Sequence, residues 1–262
     1  MVPFNVYLDV SRASPRVMAH LLEPPGLGIR FESREALDQD LSAAIAEHLR
    51  WLAMHGHWQA LDGSPGTAVP DTPRWRIAQE IPVNGNFESG DDVGFYEPDS
   101  LPLSSAEVEH YLGIARSARD DLLALARALP TGALDWRYDS RSRTIRSILD
   151  HVAYAELWYI TRVIDDPALA NGMPPQIEAV DRRMDAGNDP LARLVMVREE
   201  FERFFRGLDT ERLSRVVVPT WFCQIQTEQW TARKALRRAI EHEREHTRSV
   251  LRTLQVHGHG IT

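Results

Sequence analysis

One cysteine, one lysine and no long apolar run define what this chain of 262 residues does without. With Cys223 alone, no disulfide can close within the chain and no thiolate framework can hold zinc, so any metal must be bound by His, Asp or Glu. No run of about eighteen apolar residues occurs, and the opening MVPFNVYLDV has neither a basic leader nor a long apolar stretch. These absences exclude a membrane-spanning helix and make a cytoplasmic protein the expectation. Basic charge is scarce in the first part: residues 1–100 hold 7 Arg against 15 Asp or Glu, which is the whole of the formal net charge of −8. Such a balance offers no broad basic face to gather phosphates, so neither nucleic acid nor an anionic membrane is the expected partner. What is present is an ordinary globular composition, 43% hydrophobic and 26% charged, with length for one large domain or two of about 100–150 residues.

The first hundred residues mix strand and helix signals. FNVYLDV alternates, with Phe4, Val6, Leu8 and Val10 on one side, as a half-buried strand does. RVMAHLL forms a second apolar run that ends at Pro24, Pro25 and Gly26, and LGIRF offers a third strand. Ser33 then caps a helix to Met54, whose Leu37, Leu41, Ile45, Leu49 and Leu52 share one stripe, with Gly56 as its stop. Beyond the loop LDGSPGTAVPDTP, RWRIAQEIPV reads as another strand and NGNFESGDDVGFYEP as a turn-rich continuation. The two strands, the PPG turn and the SREAL-headed helix resemble the HicB-like fold, a small curled sheet packed on one long helix. That resemblance implies an α+β module over residues 1–100. Antitoxins of that family add a DNA-binding segment, and nothing basic or helix-turn-helix-like follows residue 60 here.

From Ser104 the pattern becomes helical throughout. Ser104 and Glu107 form a capping box ahead of Val108, Leu112, Ala115, Leu122 and Leu125, and PTG closes this helix. A second helix over 143–164 is apolar around most of its circumference and belongs in the middle of a bundle. DDPALANGMPP is a long connection, after which Asp189 and Pro190 start a third helix, DPLARLVMVREEFERFFRGL. VVVPTWFCQIQTE is a loop or a short extended stretch, and Thr231 caps a fourth helix that includes EHEREH. Four long helices without intervening strands predict an all-α four-helix bundle over 101–262, hence a two-domain chain.

On the fourth helix His242 and His246 lie four residues apart and project together at the border of the apolar stripe, away from Arg237, Arg244, Arg248 and Arg252. Such a pair suits shared ligation of a cation, and it also arises on any charged helix. His151 sits within the otherwise apolar second helix. One inward histidine there and two on the fourth helix supply three nitrogens, the donor set of a catalytic divalent-metal site with an open position. HEREH is formally the HExxH of zinc proteases, but only sixteen residues follow His246, none acidic, and Ser249 and Arg252 stand where the longer signature places Gly and His. His257 and His259 fall in a tail expected to fray. The protease reading is therefore rejected.

TIRSILDHVAYAELWY followed by WTARKALRRAIEHEREHTRSVL resembles the DinB-like superfamily, metal-binding four-helix bundles with one histidine on helix two and an H-x3-H pair on helix four. Residues 104–256 carry the likeness, and its ligand positions fall on His151, His242 and His246. The resemblance implies a divalent cation, with zinc or nickel favoured, a small-molecule substrate and a homodimer. Members of known activity include mycothiol-dependent maleylpyruvate isomerases and bacillithiol S-transferases, which implies a low-molecular-weight thiol and transferase or hydrolase chemistry.

Glu243 falls inside the apolar stripe, where an ionised carboxylate needs a partner. It could orient a ligating imidazole, act as general base, or pair with an arginine such as Arg146; Glu156 is a second candidate for the same roles. Tyr154, Trp158 and Trp230 read as core, Cys223 as a small apolar residue, and His20, His48, His55, His57 and His110 as solvated or locally hydrogen-bonded. A different class of function also fits: a binding or regulatory protein whose metal site is structural, closed by a fourth protein ligand such as Glu156 or Glu243.

Overall fold

The computed structural model describes every residue except 1, 59–67, 86, 88–92, 165, 167–168, 170–172, 224, 226 and 260–262. Much of the expected LDGSPGTAVPDTP loop, of the turn-rich stretch after residue 84 and of the DDPALANGMPP connection lies outside the described residues. The chain divides into two compact units, Met1–Leu101 with Cys223–Glu228, and Pro102–Phe222 with Gln229–Thr262.

In the first unit, strands β1 (Phe4–Ser11), β2 (Val17–Leu21), β3 (Leu27–Phe31) and β4 (Trp75–Val83) form one sheet in the order β3-β2-β1-β4. β2 runs antiparallel to β1 and β3, while β4 returns parallel to β1 after the crossover through α1 (Arg34–Met54). The Ser33 hydroxyl accepts the Ala36 N–H at the start of α1, and Gly56, at φ +72°, takes the left-handed conformation that ends it. Leu37, Leu41, Ile45, Leu49 and Leu52 are fully buried, and α1 packs on β2 and β3. Burial of each such side chain stabilises the unit by roughly 1.5–3 kcal/mol.

β1 differs from the expected half-buried strand because its second face is covered too. Tyr7 and Asp9 are buried along with Phe4, Val6 and Leu8. The segment after Val93 closes over them: the Tyr96 hydroxyl donates to Asp9 Oδ1 at 2.6 Å and the Gly94 N–H donates to the same oxygen at 2.8 Å. His20 Nε2 lies 3.0 Å from Asp9 Oδ2 and is itself buried. Burial opposes charge on Asp9, but His20, Tyr96 and the Gly94 N–H together hold its carboxyl below the ordinary carboxylate value. Periodicity alone could not reveal this cover, since its partners are polar and lie 85 to 87 residues away.

The second unit is helical: α2 (Ser105–Arg127), α3 (Ile145–Thr161), α4 (Pro175–Ala186), α5 (Pro190–Arg206), α6 (Thr210–Ser214) and α7 (Ala232–Val256). Both halves of the expected capping box are present on α2, and Thr144, Asp189 and Thr231 cap α3, α5 and α7 through their side chains. α2 packs on α5 and α7, and α3 packs on the same two, so α2 and α3 sit diagonally in a bundle of four. α4 and α6 were not expected. α4 is mostly polar, with only Ile177, Val180 and Met184 buried on its stripe, and α6 has five residues, too few to set a period. Among the described residues VVVPTWFCQIQTE holds no helix or strand, and Val217 makes a strand-like pairing with Trp230. The chain beyond α7 is not frayed as far as it is described: the His257 ring stacks on Trp136 at 4.4 Å and 10°.

Candidate metal centre

His151 stands midway along α3, and His242 and His246 stand one turn apart on the adjacent α7. A helix advances about 5.4 Å per turn and returns the i+4 side chain to the same face, so α7 presents two rings toward one ring of α3. The three converge. His242 Nε2 lies 3.0 Å from His151 Nε2 and 3.1 Å from His246 Nε2, and one nitrogen from each of the three rings falls within 4.8 Å of the others. A cation bound at about 2.0–2.1 Å by imidazoles 90–110° apart needs nitrogens separated by roughly 2.9–3.4 Å. The donor set and spacing thus fit a divalent metal. All three residues are half-buried, so the nitrogens face one another at the edge of the core rather than inside it.

The environment favours the ligating form. Burial, then the charges of His246 and Arg143, pull the His151 ring down to about 3, against a smaller upward pull from Glu245. At neutral pH this imidazole is uncharged and has a lone pair to give. Tyr159 sets its ring edge against His242 at 6.0 Å, and Trp158 and Trp230 meet in a T at 5.4 Å behind it. Trp230 is fully buried core, whereas Trp158 is half-buried and donates its indole N–H to the Phe222 carbonyl. Tyr154 is half-buried and its hydroxyl bonds Asp185 at 2.5 Å.

Glu243 is 1% exposed and paired with arginine, but Arg146 is not its partner: Arg146 lies 3.7 Å from Asp135. The Glu243 oxygens are engaged by Arg119 on α2 and Arg198 on α5, each at 2.5 Å. Arg119 also donates to Glu156 at 2.7 Å. Neither arginine was singled out by the sequence reading. The signal was there, because Arg119 interrupts the buried run Leu112, Ala115, Ala118 and Leu122, and Arg198 sits among Leu194, Val197, Phe201 and Phe205. A charge at such a position needs a buried partner.

The arginine face of α7 is less open than its composition suggests. Arg237, Arg238, Glu241 and Arg244 are buried, with Glu241 bridging Arg237 at 3.3 Å and Arg238 at 2.6 Å. His20 and His48 lie in the first unit's core and Cys223 is half-buried; among the described residues the three histidines of α3 and α7 are the one group of such side chains spaced to hold a metal. No described helix is long and apolar enough to cross a membrane.

Comparison with curated proteins finds no match. Among solved structures, YfiT from Bacillus subtilis, described as "a probable metal-dependent hydrolase with an unusual four-helix bundle topology", is similar with a TM-score of 0.45 and 18% identity, over 63% of this chain and 95% of its own. Residues 115–250, more than half of the chain, match the family model of the DinB superfamily, and the protein belongs to that superfamily.

Proposed function

We propose that the bundle is a divalent-metal-dependent enzyme acting on a small molecule by hydrolysis or by thiol-dependent S-transfer, with His151, His242 and His246 as ligands and zinc or nickel as the cation. The observation that carries this reading is the mutual approach of three Nε2 atoms from two helices, at chelating separations of 3.0 and 3.1 Å. A divalent cation held by these three imidazoles would supply Lewis acidity, the chemistry that lowers the pKa of a water or thiol toward neutrality.

The chain's own residues then divide the work. His151 stays uncharged and available because burial disfavours its cation. Glu243 has both oxygens engaged by guanidinium groups, which supports an orienting role over that of a general base. The same engagement bears on the alternative of a closed, structural site in a regulatory protein. Glu156 and Glu243, the carboxylates considered for a fourth ligand, are both drawn to arginine, and this supports an open position. The HicB-like identity of the first unit is proposed on its β-β-β-α-β order, and a homodimer on family likeness alone.

Metal analysis of tag-free protein beside the His242→Ala/His246→Ala variant tests the reading. Bound zinc or nickel is expected in the parent and not in the variant. Negligible metal in both overturns the enzyme.

A further inference from the structure

Each of the four bundle helices contributes one charged side chain to a single buried cluster: Arg119 from α2, Glu156 from α3, Arg198 from α5 and Glu243 from α7. Two cations and two anions balance. Arg119 donates through Nε to Glu243 and through Nη2 to Glu156, and its Nη1 reaches the Leu194 carbonyl of α5. Arg198 donates through Nη2 to Glu243 Oε2 at 2.5 Å; the same nitrogen lies 2.6 Å from Glu156 Oε1, too obliquely for a hydrogen bond. Arg198 Nε and Nη1 have no hydrogen-bond partner among the described residues.

A cluster with unsatisfied donors is a poor choice for stability alone, since apolar side chains of similar volume often serve as well or better. Its geometry suggests another use. The two helices that carry the histidines, α3 and α7, each end a carboxylate on the same pair of guanidinium groups. Glu243 follows His242 directly, and Glu156 lies five residues beyond His151 on α3. Sliding α3 along α7 would break charge-assisted hydrogen bonds where no water replaces them. It would also spoil the imidazole spacing, which a metal site tolerates only to about 0.5 Å.

Resting on the metal reading above, we propose that Arg119 and Arg198 are positioning residues: with Glu156 and Glu243 they lock the register of α3 against α7 and thereby hold His151 at chelating distance from His242 and His246. The test uses Co(II), titrated into apo-protein against a competing chelator and followed by its visible spectrum, with helicity checked by circular dichroism. Arg119→Lys and Arg198→Lys keep the charge and lose the planar fork. Beside them stands a charge-free form, Arg119→Met/Glu156→Leu/Arg198→Met/Glu243→Leu, which strands no lone partner. Expected is a 10- to 100-fold weaker Co(II) affinity, of about the size seen when outer partners of ligands are removed, with altered band positions in variants that stay helical. A parent that binds no Co(II), or binds it equally after His151→Ala, overturns the metal reading and this one with it. A parent that binds through His151, while the helical variants keep the same affinity and spectrum, overturns the register lock alone. If the charge-free form fails to fold, the lysine variants decide by the same criteria.

Discussion

Replacing His151 by Gln in metal-free protein should change how stability depends on pH. The folded-state pKa of this ring is pulled down to about 3, whereas the unfolded chain carries an ordinary histidine near 6.5. The unfolded chain therefore takes up the proton first. Stability is complete above about pH 6.5 and falls as the pH drops toward 3, where the loss is complete. Between pH 7.5 and 5.0 the difference integrates to about 2 kcal/mol. The His110 pKa is also lowered, by burial, and acts in the same window and direction, so the parent's slope alone is not diagnostic. Urea unfolding of parent and His151→Gln at pH 7.5, 6.5, 5.8 and 5.0, all with chelator present, isolates the term: the parent should lose about 2 kcal/mol more than the variant across the range. Parallel curves would refute the idea that this imidazole sits where its cation is disfavoured, and with it the claim that the site keeps a lone pair ready.

Two further outcomes test the packing of each unit separately. Ala at position 94 would place a Cβ 2.5 Å from Asp9 Oδ1 and 3.2 Å from Ile81 Cβ, so Gly94→Ala should destabilise the first unit by about 1–3 kcal/mol in urea while leaving metal content unchanged. Thr231→Ala removes the side-chain acceptor for the Lys234 N–H at the start of α7 and should cost about 1 kcal/mol of bundle stability, read as a lower urea midpoint at constant m-value.

Elements with a long, regular apolar period were legible in the chain. The α1 stripe, the capping box of α2, the Pro190 start of α5 and the Thr231 cap of α7 all stand where local chemistry placed them. The histidines were legible as a set because two share a helix face and the third is polar where its surroundings are not. Partner identity was not. Arg146 seemed a natural mate for Glu243, but ion pairing is decided by which helices are neighbours, and Arg119 lies 124 residues from Glu243 in sequence. The second face of β1 was hidden for a related reason: its cover is a short segment with no period, held by a tyrosine hydroxyl and a backbone amide. α4 escaped notice because three buried residues among twelve make a weak stripe.

The diagonal placement of α2 and α3 has a consequence for how the protein matures in a cell. Because the bundle helices that α3 packs on are α5 and α7, the imidazole of His151 meets that of His242 across 91 residues of chain. A nascent polypeptide emerged only as far as α5 would display a lone histidine, no better at capturing a cation than any other. On the proposed ligand set, selection of the ion would wait until α7 docks, when a nearly finished bundle, and not a loose coil, would choose what to admit.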